Sequence, residues 1–492
     1  MTANARSGAT GSTAGLLFDG RRLAGRVRLS WRRGVISAIQ PLDDPVPCRT
    51  IVPGFVDAHL HLTAYAQALL DLDLTGLGAE AVLARLAAHD RAVGPGEWMR
   101  GRQVSATSWA TVADRRLLDQ VTAHPLALWS QDLHLIALNT AALAELGVAN
   151  WAEVPGGEIG RDQEGAPSGV LKEKAAELAG RLIPGPSERA MAQALETTVR
   201  TLHRAGVVGA ASYETPAGLQ ILCRHPRKAP FALRLFQYAT DIAAEDLPGE
   251  VAPGLSVIGA KIFLDGTLGS RTAWLKTPFA DRGGTGICRL EPGTAAQVAS
   301  LRQRGYVLSF HAIGDAAFAA ALTLLGDGGG RIEHIQLVDP ADLARVDGRL
   351  VASVQPSHLI GDRPEAARAW ADRLADTYPC RSLWQRGATL VFGSDAPVVA
   401  VDPLATLRMA VDRRLGDEEP FVPEQALPLE VALAAATSGP TQTLSMGSGH
   451  LSVGEPATFA LIEGDLRHES GRREATVRAT VVAGETVHGA LG

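Results

Sequence analysis

Cysteine is scarce in this 492-residue chain. The four present, Cys48, Cys223, Cys288 and Cys380, lie far apart with no Cys-x-x-Cys pair, which excludes a zinc knuckle or a disulfide scaffold and leaves them as packing residues. Lysine is nearly as rare: Lys172, Lys174, Lys228, Lys261 and Lys276 are the only lysines among 47 basic residues. Arginine stays protonated at any ordinary pH, whereas a buried lysine can lose its proton and become a nucleophile. A single Lys261 inside an apolar run therefore needs a chemical explanation. No excess of one charge sign stands out, since 53 acidic and 47 basic residues are interspersed for a net charge of -6. That leaves no basic stripe for nucleic acid or an anionic membrane. The opening residues lack the apolar core of a secretory signal, and no later run is long and apolar enough to cross a bilayer. The expected setting is the cytoplasm and the expected partner a small-molecule substrate; a homo-oligomer is left open. Neither a Gly-x-x-x-x-Gly-Lys loop nor a strand-linked Gly-x-Gly-x-x-Gly occurs, so no nucleotide cofactor is implied.

What the chain does have is a series of strand-like runs, each ending on a residue able to bind a metal. They are Gly54-Phe-Val-Asp-Ala-His-Leu-His61, Ile258-Gly-Ala-Lys261, Val307-Leu-Ser-Phe-His311, Arg331-Ile-Glu-His334 and Val391-Phe-Gly-Ser-Asp395. Parallel strands closed into a barrel end on one face, which is how donors scattered along a chain can converge. Eight candidate strands, at 51–58, 206–212, 231–238, 256–263, 305–311, 331–336, 350–355 and 388–394, many followed by Ala/Leu/Arg-rich helical stretches, predict an α/β fold of the (β/α)8 TIM-like barrel type over 53–439. Both chain ends alternate apolar and polar residues. Residues 1–52 and 440–492 are accordingly expected to share a small composite β-sandwich, since neither half could bury its apolar face alone. The interval 63–205 is far too long for one crossover and shows helical periodicity at 79–93, 138–147 and 188–204. It predicts a helical insertion after the first barrel strand, placed as a cap over the barrel mouth.

His59 and His61 are two residues apart, so on a strand both imidazoles project to one side, a spacing suited to gripping one ion. His311, His334 and Asp395 add donors at the ends of later strands, and Asp395 could also move a proton as a carboxylate beside the ion. Lys261 has two readings: a carbamate formed with carbon dioxide that bridges two cations, or a buried lysine paired with Asp265 or Asp315. One or two divalent ions, with zinc foremost, are expected. A second set could reach substrate: Asp132 and His134 in the insertion, Asp265 and Arg271 after the lysine strand, and Gln355, His358 and Asp362 after the seventh strand.

These residues resemble the amidohydrolase superfamily. Pro53-Gly-Phe-Val-Asp-Ala-His-Leu-His61 looks like its first-strand motif, and the order His-x-His, Lys, His, His, Asp matches its binuclear members. Lys261-Ile-Phe-Leu-Asp-Gly-Thr-Leu-Gly-Ser-Arg-Thr-Ala273, His311-Ala-Ile-Gly-Asp-Ala-Ala317, Glu333-His-Ile-Gln336 and Gly393-Ser-Asp-Ala-Pro397 look specifically like amidohydrolase family 3, the branch containing N-substituted formamide deformylases. The resemblance implies a metal-bound hydroxide as nucleophile, with His59, His61, a carboxylated Lys261, His311, His334 and Asp395 holding the ions, and hydrolysis of a non-peptide carbon–nitrogen bond of amide or formamide type. A deaminase of an aminated heterocycle is the enzymatic alternative, although such sites usually need one metal and an extra carboxylic acid. A non-catalytic barrel kept as an interaction module is the other, and it would be expected to have lost ligand positions that are all filled in this chain.

Overall fold

The structure is a computed structural model that describes residues 9–43, 48–91, 93–94, 96–104, 106–130, 135–154, 157–225, 229–414 and 416–491. It divides into two compact units, one made of Met1–Tyr65 with Leu195–Gly492 and the other of Ala66–Ala194.

The first unit contains the barrel. Its eight strands are Phe55–Leu60, Val207–Glu214, Ala232–Tyr238, Leu255–Phe263, Val307–Ala312, Gly330–His334, Leu350–Val354 and Thr389–Phe392. Each pairs in parallel with the next around the ring. Every residue of the first two strands is buried, as expected for parallel strands covered on both faces. The seam between the eighth strand and the first is closed just beyond the strand ends: Asp395 N donates to His59 O at 2.7 Å and His61 N to Ala396 O at 2.9 Å. Asp57 staples the same seam, its Oδ1 accepting from His59 N at 3.0 Å and Ser394 N at 3.1 Å. Gly393 makes this approach feasible, because a Cβ there would sit 2.6 Å from His59 Cβ. Among the crossovers, helices Asp315–Leu325 and Pro403–Val411 lie where the sequence expects them at 313–325 and 403–415.

The run expected as one strand at 51–58 is divided between two sheets. Arg49–Pro53 lies in the terminal sheet and Phe55–Leu60 in the barrel, with Gly54 between them, where an added Cβ would meet Val208 Cγ2 at 2.5 Å. Continuous apolar character marks burial and does not reveal a change of sheet.

Both chain ends build one seven-stranded sheet in the order Glu485–Gly489, Thr476–Val482, Phe459–Glu463, Arg49–Pro53, Gly11–Phe18, Leu23–Arg32, Val35–Pro41. Arg49–Pro53 joins the halves, parallel to Gly11–Phe18 and antiparallel to Phe459–Glu463. Trp31 and Phe459 are three strands apart in this order, which in a flat sheet would separate them by about 14 Å, yet their rings are 5.4 Å apart. The sheet therefore curls over itself and encloses Leu17, Val27, Leu29, Ile36, Ile51 and Leu461, which gives the sandwich-like core from a single hydrogen-bonded sheet.

The second unit corrects the expectation of a helical insertion. Helices occur at Ala79–Asp90 and Thr140–Glu145, and Glu188–Arg204 spans the boundary between units. The body, however, is a six-stranded sheet in the order Gly157–Arg161, Pro167–Glu173, Leu135–Leu138, Leu126–Ser130, Met99–Val104, Leu72–Asp73. Its strands are short and its central ones, Leu126-Ala-Leu-Trp-Ser130 and Leu135-Ile-Ala-Leu138, carry no clear period, so the helical signal dominated the sequence. Among the described residues, no helix is long and apolar enough to cross a membrane.

Candidate metal centre

The first barrel strand ends on His59 and His61, whose Nε2 atoms lie 3.4 and 3.2 Å from Asp395 Oδ1. These three side chains form a group whose donor atoms could share one ion. His311 and His334, from the fifth and sixth strands, make a second close pair with ring centroids 4.5 Å apart, and His334 lies 5.1 Å from His59. The His59 side chain is 1% exposed and that of His61 23%, so access to the cluster lies on the His61 side. Asp395 and His334 both have positive φ, 59° and 75°, a conformation that costs energy in non-glycine residues and is found where function demands a particular aim.

Every one of the four imidazoles is held from behind. His59 Nδ1 donates to Glu333 Oε2 at 2.8 Å and His61 Nδ1 to the Tyr213 carbonyl at 2.9 Å. His311 Nδ1 donates to Asp265 Oδ1 and His334 Nδ1 to Gln355 Oε1, both at 2.9 Å. Each partner atom is an oxygen that only accepts, so each ring carries a proton on Nδ1 and turns Nε2 away from its support. That is the tautomer and the support a metal-ligating histidine needs.

The electrostatics divide the rings: despite burial, the Asp395 hydrogen bond and charge raise the His61 pKa above its ordinary value. Burial lowers the His59 pKa to about 4, with the Lys261 charge acting in the same sense. Burial also holds His334 well below its ordinary value, aided by His311 and Lys261. Both rings are thus neutral near pH 7. Burial pushes the Asp395 carboxyl upward, but His59, which is charged in the acid range where Asp395 would protonate, and the His61 hydrogen bond outweigh it and hold the group well below the usual carboxylate range. Lys261, 2% exposed, has its pKa lowered by burial to about 8, partly offset by Glu333 and Asp395. Its Nζ lies 4.7 Å over the Tyr213 ring, and Tyr213 in turn stacks on His59 at 4.0 Å. The partners expected for a lysine ion pair are engaged elsewhere. Asp265 Oδ2 accepts from the backbone N–H groups of Trp274 and Gly314, and Asp315 Oδ1 from those of Lys276 and Ala316.

The residues expected to touch substrate sit differently. Asp265 and Gln355, 0% and 3% exposed, lie behind His311 and His334 rather than in front of them. His358 is buried with Nε2 3.3 Å from the Ser394 carbonyl. Arg271 is clamped by Asp281 at 2.6 Å, Glu365 at 2.8 Å and the Leu268 carbonyl at 2.8 Å, tying down the loop after the fourth strand. Asp362 accepts from Tyr378 Oη and Gln336 Nε2. Asp132 and His134 lie outside the described residues.

Sequence reasoning missed Glu333 and Tyr213. Glu333 Oε1 accepts from Ser309 Oγ at 2.7 Å, Tyr213 Oη at 2.8 Å and Arg331 Nε at 3.1 Å, all inside the barrel. The Arg331 charge and His59 outweigh burial and keep Glu333 ionised, well below its ordinary pKa. The available signal was the pair of charges, Arg331 and Glu333, two residues apart in the five-residue strand that ends on His334.

A parallel barrel with nitrogen and oxygen donors gathered at its C-terminal rim belongs to the class of barrels able to hold a divalent ion at that rim. The comparisons narrow it further. A family model described as the amidohydrolase family matches residues 49–488, and the chain belongs to that family. It is 28% identical over 448 residues to the protein YtcJ of Bacillus subtilis, covering 84% of each chain. It is 27% identical over 462 residues to the N-substituted formamide deformylase of Arthrobacter pascens, covering 85% of this chain and 84% of that one. The fold is similar to that of an uncharacterized metal-dependent hydrolase from Pyrococcus horikoshii, with a TM-score of 0.77 at 24% identity, covering 97% of this chain and 100% of the other.

Proposed function

We propose that this protein hydrolyses a non-peptide carbon–nitrogen bond, of amide or formamide type, in a small molecule, using one or two divalent ions. His59, His61 and Asp395 would hold one ion and His311 and His334 the other, with Lys261 between them. The observation that carries this reading is that all four imidazoles have Nδ1 occupied by an acceptor, leaving Nε2 as the atom each can offer to an ion. When bound, a divalent ion lowers the pKa of water toward neutrality and polarises a carbonyl oxygen.

The chain's own residues account for the remainder. Asp395, ionised and partly accessible, takes a proton from the attacking water. It returns that proton to the departing nitrogen as the carbon–nitrogen bond breaks, so one carboxylate serves as base and then acid. Lys261, unpaired with Asp265 or Asp315 and with its pKa lowered, supports a carbamate: the neutral amine forms a nitrogen–carbon bond to carbon dioxide and releases a proton. The resulting carboxylate would supply a bridging oxygen donor to each side. Zinc is the proposed ion, since mixed imidazole and carboxylate donors suit it.

The test is elemental analysis of the purified protein together with a hydrolysis screen over formamides, N-acyl amines, cyclic amides and aminated heterocycles. The reading expects at least one stoichiometric divalent ion and release of a carboxylic acid and an amine. Ammonia release from a heterocycle alone would make the protein a deaminase, and absence of any bound metal would remove the hydrolytic reading.

A further inference from the structure

The acceptors behind the four imidazoles are of two chemical kinds, and the kinds are distributed evenly. In the pair that converges on Asp395, His59 is backed by the Glu333 carboxylate and His61 by the neutral Tyr213 carbonyl. In the other pair, His311 is backed by the Asp265 carboxylate and His334 by the neutral Gln355 amide. We infer that Glu333 and Asp265 are positioning residues that set ligand strength separately in the two halves of the centre, one carboxylate-backed imidazole to each half, and that Gln355 holds His334 as the weaker donor of its pair. The inference rests on the two-ion reading above and adds to it which residues govern each ion.

The physical basis is charge assistance. An imidazole that donates Nε2 to a cation becomes more positive at its Nδ1–H, and an ionised acceptor stabilises that polarisation more than a neutral one. Both carboxylates are 0% exposed, so solvent ions do not screen them. Each is fixed by further donors that leave one oxygen atom aimed at its histidine. Glu333 Oε1 takes Ser309, Tyr213 and Arg331, leaving Oε2 for His59. Asp265 is gripped by the backbone N–H groups of Trp274, Ile313 and Gly314. Gln355 is held less completely, because its buried Nε2 has no partner among the described residues. A glutamate there would replace an unpaired donor by an acceptor and convert His334 to a carboxylate-backed ligand.

The test uses the full chain, stripped of metal by a chelator and titrated with Zn2+ against a chromophoric chelator in bicarbonate buffer. Two backgrounds isolate the halves: His334→Ala cripples one pair and His61→Ala the other. In the His334→Ala protein, Glu333→Gln should weaken the retained ion about 10–100-fold while Asp265→Asn leaves it unchanged. In the His61→Ala protein the two effects should exchange, and Gln355→Glu should tighten the ion. That gain of affinity is a readout that loss of packing cannot produce. If Glu333→Gln does not fold, Glu333→Asp, which keeps the charge but withdraws the oxygen by one methylene, should weaken the same ion. Equal effects of either carboxylate substitution in both backgrounds, or no effect in either, would overturn the assignment. A wild-type protein that takes up no Zn2+ at all would instead sink the metal-hydrolase reading itself.

Discussion

The core of the terminal sheet and the interior of the barrel beneath the histidines exclude water to the same degree but are made of opposite materials. The sheet closes over Leu17, Val27, Leu29, Trp31, Ile36, Phe459 and Leu461. The barrel interior holds Arg331, Glu333, Lys261 and Ser309, none more than 2% exposed. Apolar packing stabilises simply by leaving water, at about 25 cal/mol per Å² of buried apolar surface. A buried charge pair, by contrast, roughly breaks even against hydrophobic side chains of the same volume. The difference teaches that, unlike the apolar sheet core, the polar interior need not add to stability. Its groups connect to His59 and the Ala58 carbonyl, which ties them to the strand that carries the rim histidines.

The sharpest way to break this contrast is to attack the rim without touching either core. Asp395→Asn should keep its metal and lower kcat about 10²–10⁴-fold, the range for losing a positioned acid–base group. Substantial residual turnover with metal in place would remove the proton-transfer role.

Next in size comes the barrel interior itself. Arg331→Met alone leaves Glu333 buried without its cation and should destabilise the fold by about 3–5 kcal/mol. The double change Arg331→Met with Glu333→Leu should restore stability or exceed the parent by about 1–4 kcal/mol while still weakening the ion at His59. Denaturant melts of the metal-free proteins measure the first quantity and Zn2+ titration the second. If the double variant were as unstable as the single one, the network would be structural and the contrast with the sheet would vanish.

Lys261→Ala removes a charge the interior need not contain unless it binds metal. Metal affinity should fall at least about tenfold, with partial rescue by acetate or propionate standing in for the carbamate. Unchanged metal content, with a crystal map showing a bare amine in the parent, would exclude the bridging role.

The smallest expected effect comes from the apolar side. Ile36→Val in the terminal sheet should cost about 0.5–1.5 kcal/mol of stability and leave Zn2+ affinity unaltered. A change in metal binding there would mean that the sheet and the rim are coupled.

The same contrast explains what could be read in advance. Strand-end donors are legible because period, apolar run and terminal His, Lys or Asp coincide in a few residues, and their order along the chain matches the order of the barrel strands. Glu333 escaped notice because neighbouring residues on a strand point to opposite faces, so Glu333 and His334 could not both be assigned to the interior. The positive φ of His334 breaks the alternation and permits it. Asp265 looked like a substrate contact because it follows Lys261 by four residues, yet the turn after the strand carries it behind His311. The sheet of the insertion was hidden by strands too short and too evenly apolar to show a period.

By itself, the sequence determined the kind of architecture, the sharing of one small β domain by the two chain ends and which residues at the strand ends have the chemistry to be donors. These follow from local pattern and from the chemical capacities of single side chains. Only the tertiary structure decided which acceptor stands behind each imidazole, and that the curl of one sheet brings Trp31 to Phe459. Such contacts join residues up to several hundred positions apart, and their geometry depends on backbone turns and strand twist that no local pattern encodes.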